Sequence, residues 1–211
     1  ECMAYKNIEE FSSMHLDVLR EIGNIGAGNA ATALASLLNT VVDIEVPVIS
    51  LISYDKVADY LGGKDTKALG MTVSLEGDIH GCMLEVVHLN FAKKLINTFY
   101  PKDIADLTMI DDMDISVVRE MSNITTAAYV NSIAAMTQLF INIQPPDSYC
   151  DNVSALVSIP AEKLSRSFDE PVLYIDEKLH IGDTEMNSGL ILVLDSTSIQ
   201  ILFKKLGMPY K

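Results

Sequence analysis

Residues 12–47 read SSMHLDVLREIGNIGAGNAATALASLLNTVVDIEVP, and residues 111–146 read DDMDISVVREMSNITTAAYVNSIAAMTQLFINIQPP. Set together at a constant offset of 99, without a gap, the runs agree at nine of 36 positions. These are Met14/Met113, Val18/Val117, Arg20/Arg119, Glu21/Glu120, Asn24/Asn123, Ile25/Ile124, Ala35/Ala134, Ile44/Ile143 and Pro47/Pro146. Most other pairs set apolar against apolar. A repeat of this kind decides the architecture before any element is assigned. The chain reads as one domain, 1–211, made of two copies of one unit, about 10–105 and 106–211.

The likeness continues downstream. HGCMLEVVHLNFAKKLINTF (80–99) parallels SGLILVLDSTSIQILFKKLG (188–207), with Gly81 against Gly189 at an offset of 108. Each copy opens on a long helix, about 13–38 and 112–138, with Ser12 or Ser13 and Asp111 or Asp112 as N-cap candidates. A β-branched segment follows (41–50 and 139–144), then a short helix (54–61 and 159–166). A hairpin comes next (68–76 with 79–88, and 171–182 with 187–195), and a last helix closes the unit (90–99 and 196–206). Helices alternating with hairpins predict an α/β (α+β) fold whose sheet has an internal pseudo-twofold.

With 211 residues, 49% of them hydrophobic, the chain can fill a core. A net charge of −14 repels phosphate backbones and anionic lipid, so nucleic acid and membranes are poor partners. No apolar run reaches the ~18 residues of a membrane helix, and no signal peptide is recognisable. Three scattered cysteines, Cys2, Cys82 and Cys150, indicate a reducing compartment and hence a cytoplasmic location. Four histidines form no H-E-x-x-H or Cys/His cluster, so no metal site is expected. His80 and Cys82 read as neighbours on one strand face.

Inside the first run, GAGNAA (26–31) fits the G-x-G-x-x-A form of a dinucleotide turn. That turn must follow a buried strand, yet the preceding FSSMHLDVLR (11–20) reads as helix. The second copy also replaces Gly23, Gly26 and Gly28 by Ser122, Thr125 and Ala127. The glycines are therefore read as allowing the helix to pack closely on a neighbour. Both copies keep Glu-x-x-Asn, with Asp17 or Ser116 four residues before the Glu. At ~100° per residue, positions 17, 21 and 24 span about 60° of arc, away from Leu19 and Ile22. A single exposed Glu/Asn pair means little. Two copies at the same spacing point to function, since propensity does not favour Asn inside a helix. Asn29 falls nearer the apolar side and is read as a satisfied structural group.

The full spacing is [Asp or Ser]-x3-Glu-x2-Asn-x22-Pro. It is met by Asp17, Glu21, Asn24 and Pro47, and again by Ser116, Glu120, Asn123 and Pro146. This pattern resembles that of the CheC-type chemotaxis phosphatases, the CheC/CheX/FliY family. The resemblance implies a pseudo-symmetric fold with two long exposed motif helices, on opposite sides. It favours the CheC branch: CheX-type members carry one active helix, and FliY-type members add a switch domain beyond the second unit, which this chain is expected to lack. It further implies hydrolysis of the aspartyl phosphate of the response regulator CheY, with Glu21, Asn24, Glu120 and Asn123 catalytic and Asp17 and Ser116 supporting. No cofactor of its own is implied, Mg²⁺ being supplied by the phosphorylated regulator. The receptor deamidase CheD is implied as a second partner. The alternative is a non-catalytic module that binds phosphorylated CheY or CheD.

Overall fold

A computed structural model of the chain describes residues 13–165 and 171–207. Its elements run α1 (Ser13–Leu38), β1 (Val42–Ile44), β2 (Val48–Ser53), α2 (Tyr54–Tyr60), β3 (Lys67–Gly77), β4 (Gly81–Val87) and α3 (Leu89–Phe99). After a 3-10 turn at Leu107–Met109 they continue as α4 (Asp112–Thr137), β5 (Ile141–Ile143), β6 (Asp147–Asn152), α5 (Val153–Leu164), β7 (Pro171–Ile181), β8 (Thr184–Leu194) and α6 (Ser196–Lys205). The same order of helix and strand thus runs twice.

All eight strands join one antiparallel sheet, ordered β1-β7-β8-β4-β3-β5, with β2 also on β7 and β6 also on β3. The short strands cross over between the halves: β1 and β2 lie on β7, and β5 and β6 lie on β3. Registers correspond closely. Val48 faces Asp176 and Asp147 faces Thr72, so offsets of 99 and 104 relate the two pairings. Leu69 faces Val87, and its counterpart Leu173 faces Leu192. Val87 therefore answers to Leu192, an offset of 105. The alignment of Gly81 with Gly189 is accordingly wrong. Gly81 stands opposite Leu194 at the start of β4, whereas Gly189 stands opposite Val86 inside β8. Their shared Gly is a coincidence of composition.

Both faces of the sheet are covered. On one, α2 and α5 bury Tyr54, Val57, Leu156 and Val157 against Leu84, Val86, Ile191 and Val193. On the other, α1 and α4 lie side by side, with α6 near one end and α3 near the other. Contacts of Ile22 with Ser132 and of Gly26 with Tyr129 show that the two long helices run antiparallel. They are packed together on one face, not on opposite sides. Burying each apolar side chain at this crossing contributes roughly 1.5–3 kcal/mol.

Two boundaries differ from expectation. Helix α5 begins at Val153, six residues before 159, and carries the buried Pro160 inside it. The proline removes one helical hydrogen bond, and that reads from sequence as a break. Strand β6 (DSYCDN) has no apolar alternation to announce it, yet it pairs residue by residue with β3. Asp111 caps α4 through the amides of Met113 and Asp114 in a capping box. The cap proposed at Ser12 or Ser13 lies outside the described side chains.

Candidate functional site

Helix α1 lays Asp17, Glu21 and Asn24 on solvent; α4 exposes Ser116 and Glu120, with Asn123 half-buried. Their orientation follows from the neighbours. Leu19 and Ile22 in α1, and Val118 and Met121 in α4, are buried in the core and fix the rotation of each helix. Each Glu and Asn, three residues apart, therefore sit one turn apart on one open face. Because the helices are antiparallel, the two pairs lie at opposite ends of the crossing. Leu19 and Ile22 pack with Tyr129, Val130 and Ile133. Val118 and Met121 pack with Leu34 and Leu38.

Among the described residues, no hydrogen bond or ion pair engages Glu21, Asn24, Glu120 or Asn123. Both carboxylates and both amides are free to meet a partner. The supporting residues do not touch their glutamates. Asp17 lies 3.5 Å from Arg20, an exposed pair that solvent screens. Ser116 Oγ donates to the carbonyl of Asp112 at 2.8 Å. Asn29 is exposed and, among the described residues, makes no side-chain hydrogen bond, so it is not the satisfied structural group expected of it.

The motif prolines work from behind. Pro47 and Pro146 are buried. A Cβ on Gly23 would lie 2.9 Å from Ile49 Cδ1 and 3.0 Å from Pro47 Cγ. Gly23 thus lets the Pro47 loop seat directly against α1, one residue from Asn24. Around this site Ile25, Val46 and Val48 form an exposed apolar rim. The corresponding positions beside Asn123 are Ile124, Pro145 and Asp147.

Arg20 and Arg119, identical in sequence, part ways in the structure. Arg20 reaches into solvent, whereas Arg119 Nη2 donates to Ser148 Oγ at 2.9 Å. Arg119 lines a cavity of about 350 Å³ with Ser116, Ser148 and Tyr149 on the flank of α4. Their agreement at the 99-residue offset was the signal for both, but only the fold separates them. His80 lies just ahead of β4 and is exposed, whereas Cys82 is buried within the strand. Among the described residues no group of His, Cys, Asp and Glu is placed to hold a metal, and no helix is long and apolar enough to cross a membrane.

Residues 14–51, which carry the first motif, match the model of the CheC-like family. The chain is 32% identical over 197 residues to the CheY-P phosphatase CheC of Bacillus subtilis strain 168, covering 91% of this chain and 93% of that protein. It is 29% identical over 141 residues to the flagellar motor switch phosphatase FliY of the same organism, covering 66% of this chain and 36% of that protein. In fold it is similar to the crystal structure of Thermotoga maritima FliY, with a TM-score of 0.70, 18% identity and coverage of 94% and 98%. Identity at this level along nearly the whole of a relative, with both Glu-x-x-Asn pairs on exposed faces, places the chain in the CheC-like family.

Proposed function

We propose that the protein is a phosphatase that hydrolyses the aspartyl phosphate of a CheY-type chemotaxis response regulator, using two sites, Glu21/Asn24 and Glu120/Asn123. The activity rests on the near full-length likeness to a CheY-P phosphatase. The observation that supports the sites is the pair of matched, unengaged carboxylate–amide sets on exposed helix faces.

An acyl phosphate needs positioning and electrostatics more than a nucleophile from the catalyst. An amide both donates and accepts hydrogen bonds, so Asn24 or Asn123 orients a water in line with the P–O bond and is not consumed. Glu21 or Glu120 pairs with the regulator's active-site lysine and fixes the helix over the phosphate. The Mg²⁺ belongs to the regulator. Asp17 and Ser116 border the docking face at the preceding turn. CheD, implied by the family likeness, is a second partner in this reading.

The test is the decay of phosphorylated regulator with substoichiometric protein. The parent is expected to turn over many equivalents. Asn24→Ala with Asn123→Ala is expected to abolish acceleration while circular dichroism stays unchanged. Undiminished acceleration by this double variant would refute the assigned residues. A parent that binds but never turns over would leave a binding module instead.

A further inference from the structure

Beneath the helix crossing lie two carboxyl groups that the reaction does not use. Glu85 on β4 is 1% exposed and Glu177 on β7 is 0% exposed. Tyr129 of α4, itself fully buried, donates its hydroxyl to Glu177 Oε1. Ser188 of β8 donates to Glu85 Oε1 at 3.0 Å and stands opposite Glu177 in the sheet. Ser122 of α4 lies close enough to Glu85 to favour its charged form. It closes no hydrogen bond of good geometry, and Ser122 Oγ, Glu85 Oε2 and Glu177 Oε2 remain buried without partners. Ser122 and Tyr129 are seven residues apart, two turns of helix on one face. They form two posts between α4 and the sheet, and Ser122 directly precedes Asn123.

Helix α1 has no such posts. At the same offset of 99, Ser122 answers to Gly23 and Tyr129 to Ala30. Through the strand registers, Glu177 answers to Val73 (offset 104) and Glu85 to Leu190 (offset 105), both apolar. The posts come from α4 alone, although Tyr129 also packs on α1 at Gly26.

Burial drives both carboxyls towards the neutral form. It pushes Glu177 up to about 8, and Glu85 and Asp176 add to the rise while Tyr129 opposes it. Glu85 is raised by burial against Ser122 and Ser188. Among the described residues, the titratable groups acting on the pair are Tyr129 from α4, Asp176 from β7 and each other, and no lysine, arginine or histidine does. Near neutral pH Glu177 is mostly protonated, and burial favours the neutral form of Glu85. Because the folded value is raised, what the neutral pair contributes is complete below the ordinary carboxyl value. It is lost as pH climbs through the folded one. Two carboxylates separated by one strand, β8, in a dry core repel and call for water.

We propose that Glu85 and Glu177, acting through Ser122 and Tyr129, are positioning residues for the Glu120–Asn123 site, and that alkaline pH loosens this site more than Glu21–Asn24. The inference rests on the two-site reading above. Asn24→Ala isolates the α4 site and Asn123→Ala the α1 site. Their activity ratio across pH 6.5 to 9.5 cancels the regulator's own pH dependence. The α4 site is expected to fall about tenfold relative to the α1 site as Glu177 ionises. In the Asn24→Ala background, Glu85→Gln with Glu177→Gln, which cannot ionise, is expected to remove the fall. Glu177→Gln alone serves if the double variant does not fold. Tyr129→Phe is expected to lower the α4 site about fivefold at every pH. Parallel profiles for the two sites, or an unchanged fall in the glutamine variants, overturns the proposal. If no variant or parent hydrolyses phosphate, the functional reading fails and hydrogen exchange decides the rest. Corrected for intrinsic rates, α4 amides around Ser122–Val130 are expected to lose more protection between pH 7 and 9 than those of α1, and equal loss in both helices overturns the positioning role.

Discussion

Helices α1 and α4 are equal in length and share the Glu-x-x-Asn face, but their undersides are unlike. Under α1 the chain places Gly23, Gly26, Ala27 and Ala30; under α4 it places Ser122, Thr125, Thr126 and Tyr129. The agreement lies on the surface and the divergence in the core. Packing therefore does not explain the shared Glu-x-x-Asn residues. The undersides are also complementary. A Cβ on Gly26 would lie 2.5 Å from the Tyr129 ring, so the space given up by one helix is filled by the other. Ser132 Oγ then ties the crossing by donating to the carbonyl of Ile22 at 3.1 Å.

The contrast is open to attack by substitution. The severest local change is Gly26→Ala, which drives a methyl into a fully buried ring. A loss of about 2–3 kcal/mol is expected in urea unfolding, and a neutral result would mean that the crossing is not tightly packed. Next is Asp111→Ala, which deletes the capping box of α4 and the 2.7 Å pair with Lys102. A cost of about 1–2 kcal/mol is expected, with greater exchange in the first turn of α4 than in α1. The smallest effect is Gly28→Ala. Nothing lies within 4 Å of a Cβ there. Removing a glycine from an exposed helix interior is expected to raise stability by about 0.5–1 kcal/mol and leave activity unchanged. Gly26 and Gly28, two residues apart, thus respond with opposite sign.

Much of this was legible because the periodicity was strong. The long helices and both hairpins announce themselves through apolar spacing, and Glu21/Asn24 fall on an open face because Leu19 and Ile22 must turn inward. What was hidden depended on partners far along the chain. Strand β6 gains its identity from β3, not from its own polar residues. Asn29 falls nearer the apolar side on a helical wheel, yet it is exposed. Glu85 did carry a signal, one acid within GCMLEVV. Glu177 lies in a strand that also holds Asp176 and Lys178, and nothing local distinguishes the buried acid from its exposed neighbours.

The crossed strands have a consequence for synthesis. Strands β1 and β2 have no ladder within their own half; they await β7, more than a hundred residues later in translation. Until then the nascent first half presents bare edges, and closure of so long a loop slows folding. The halves clasp like two hands, each lending its fingers to the other's palm. Residues 1–105 and 106–211, made as separate fragments, are expected to gain structure only when mixed.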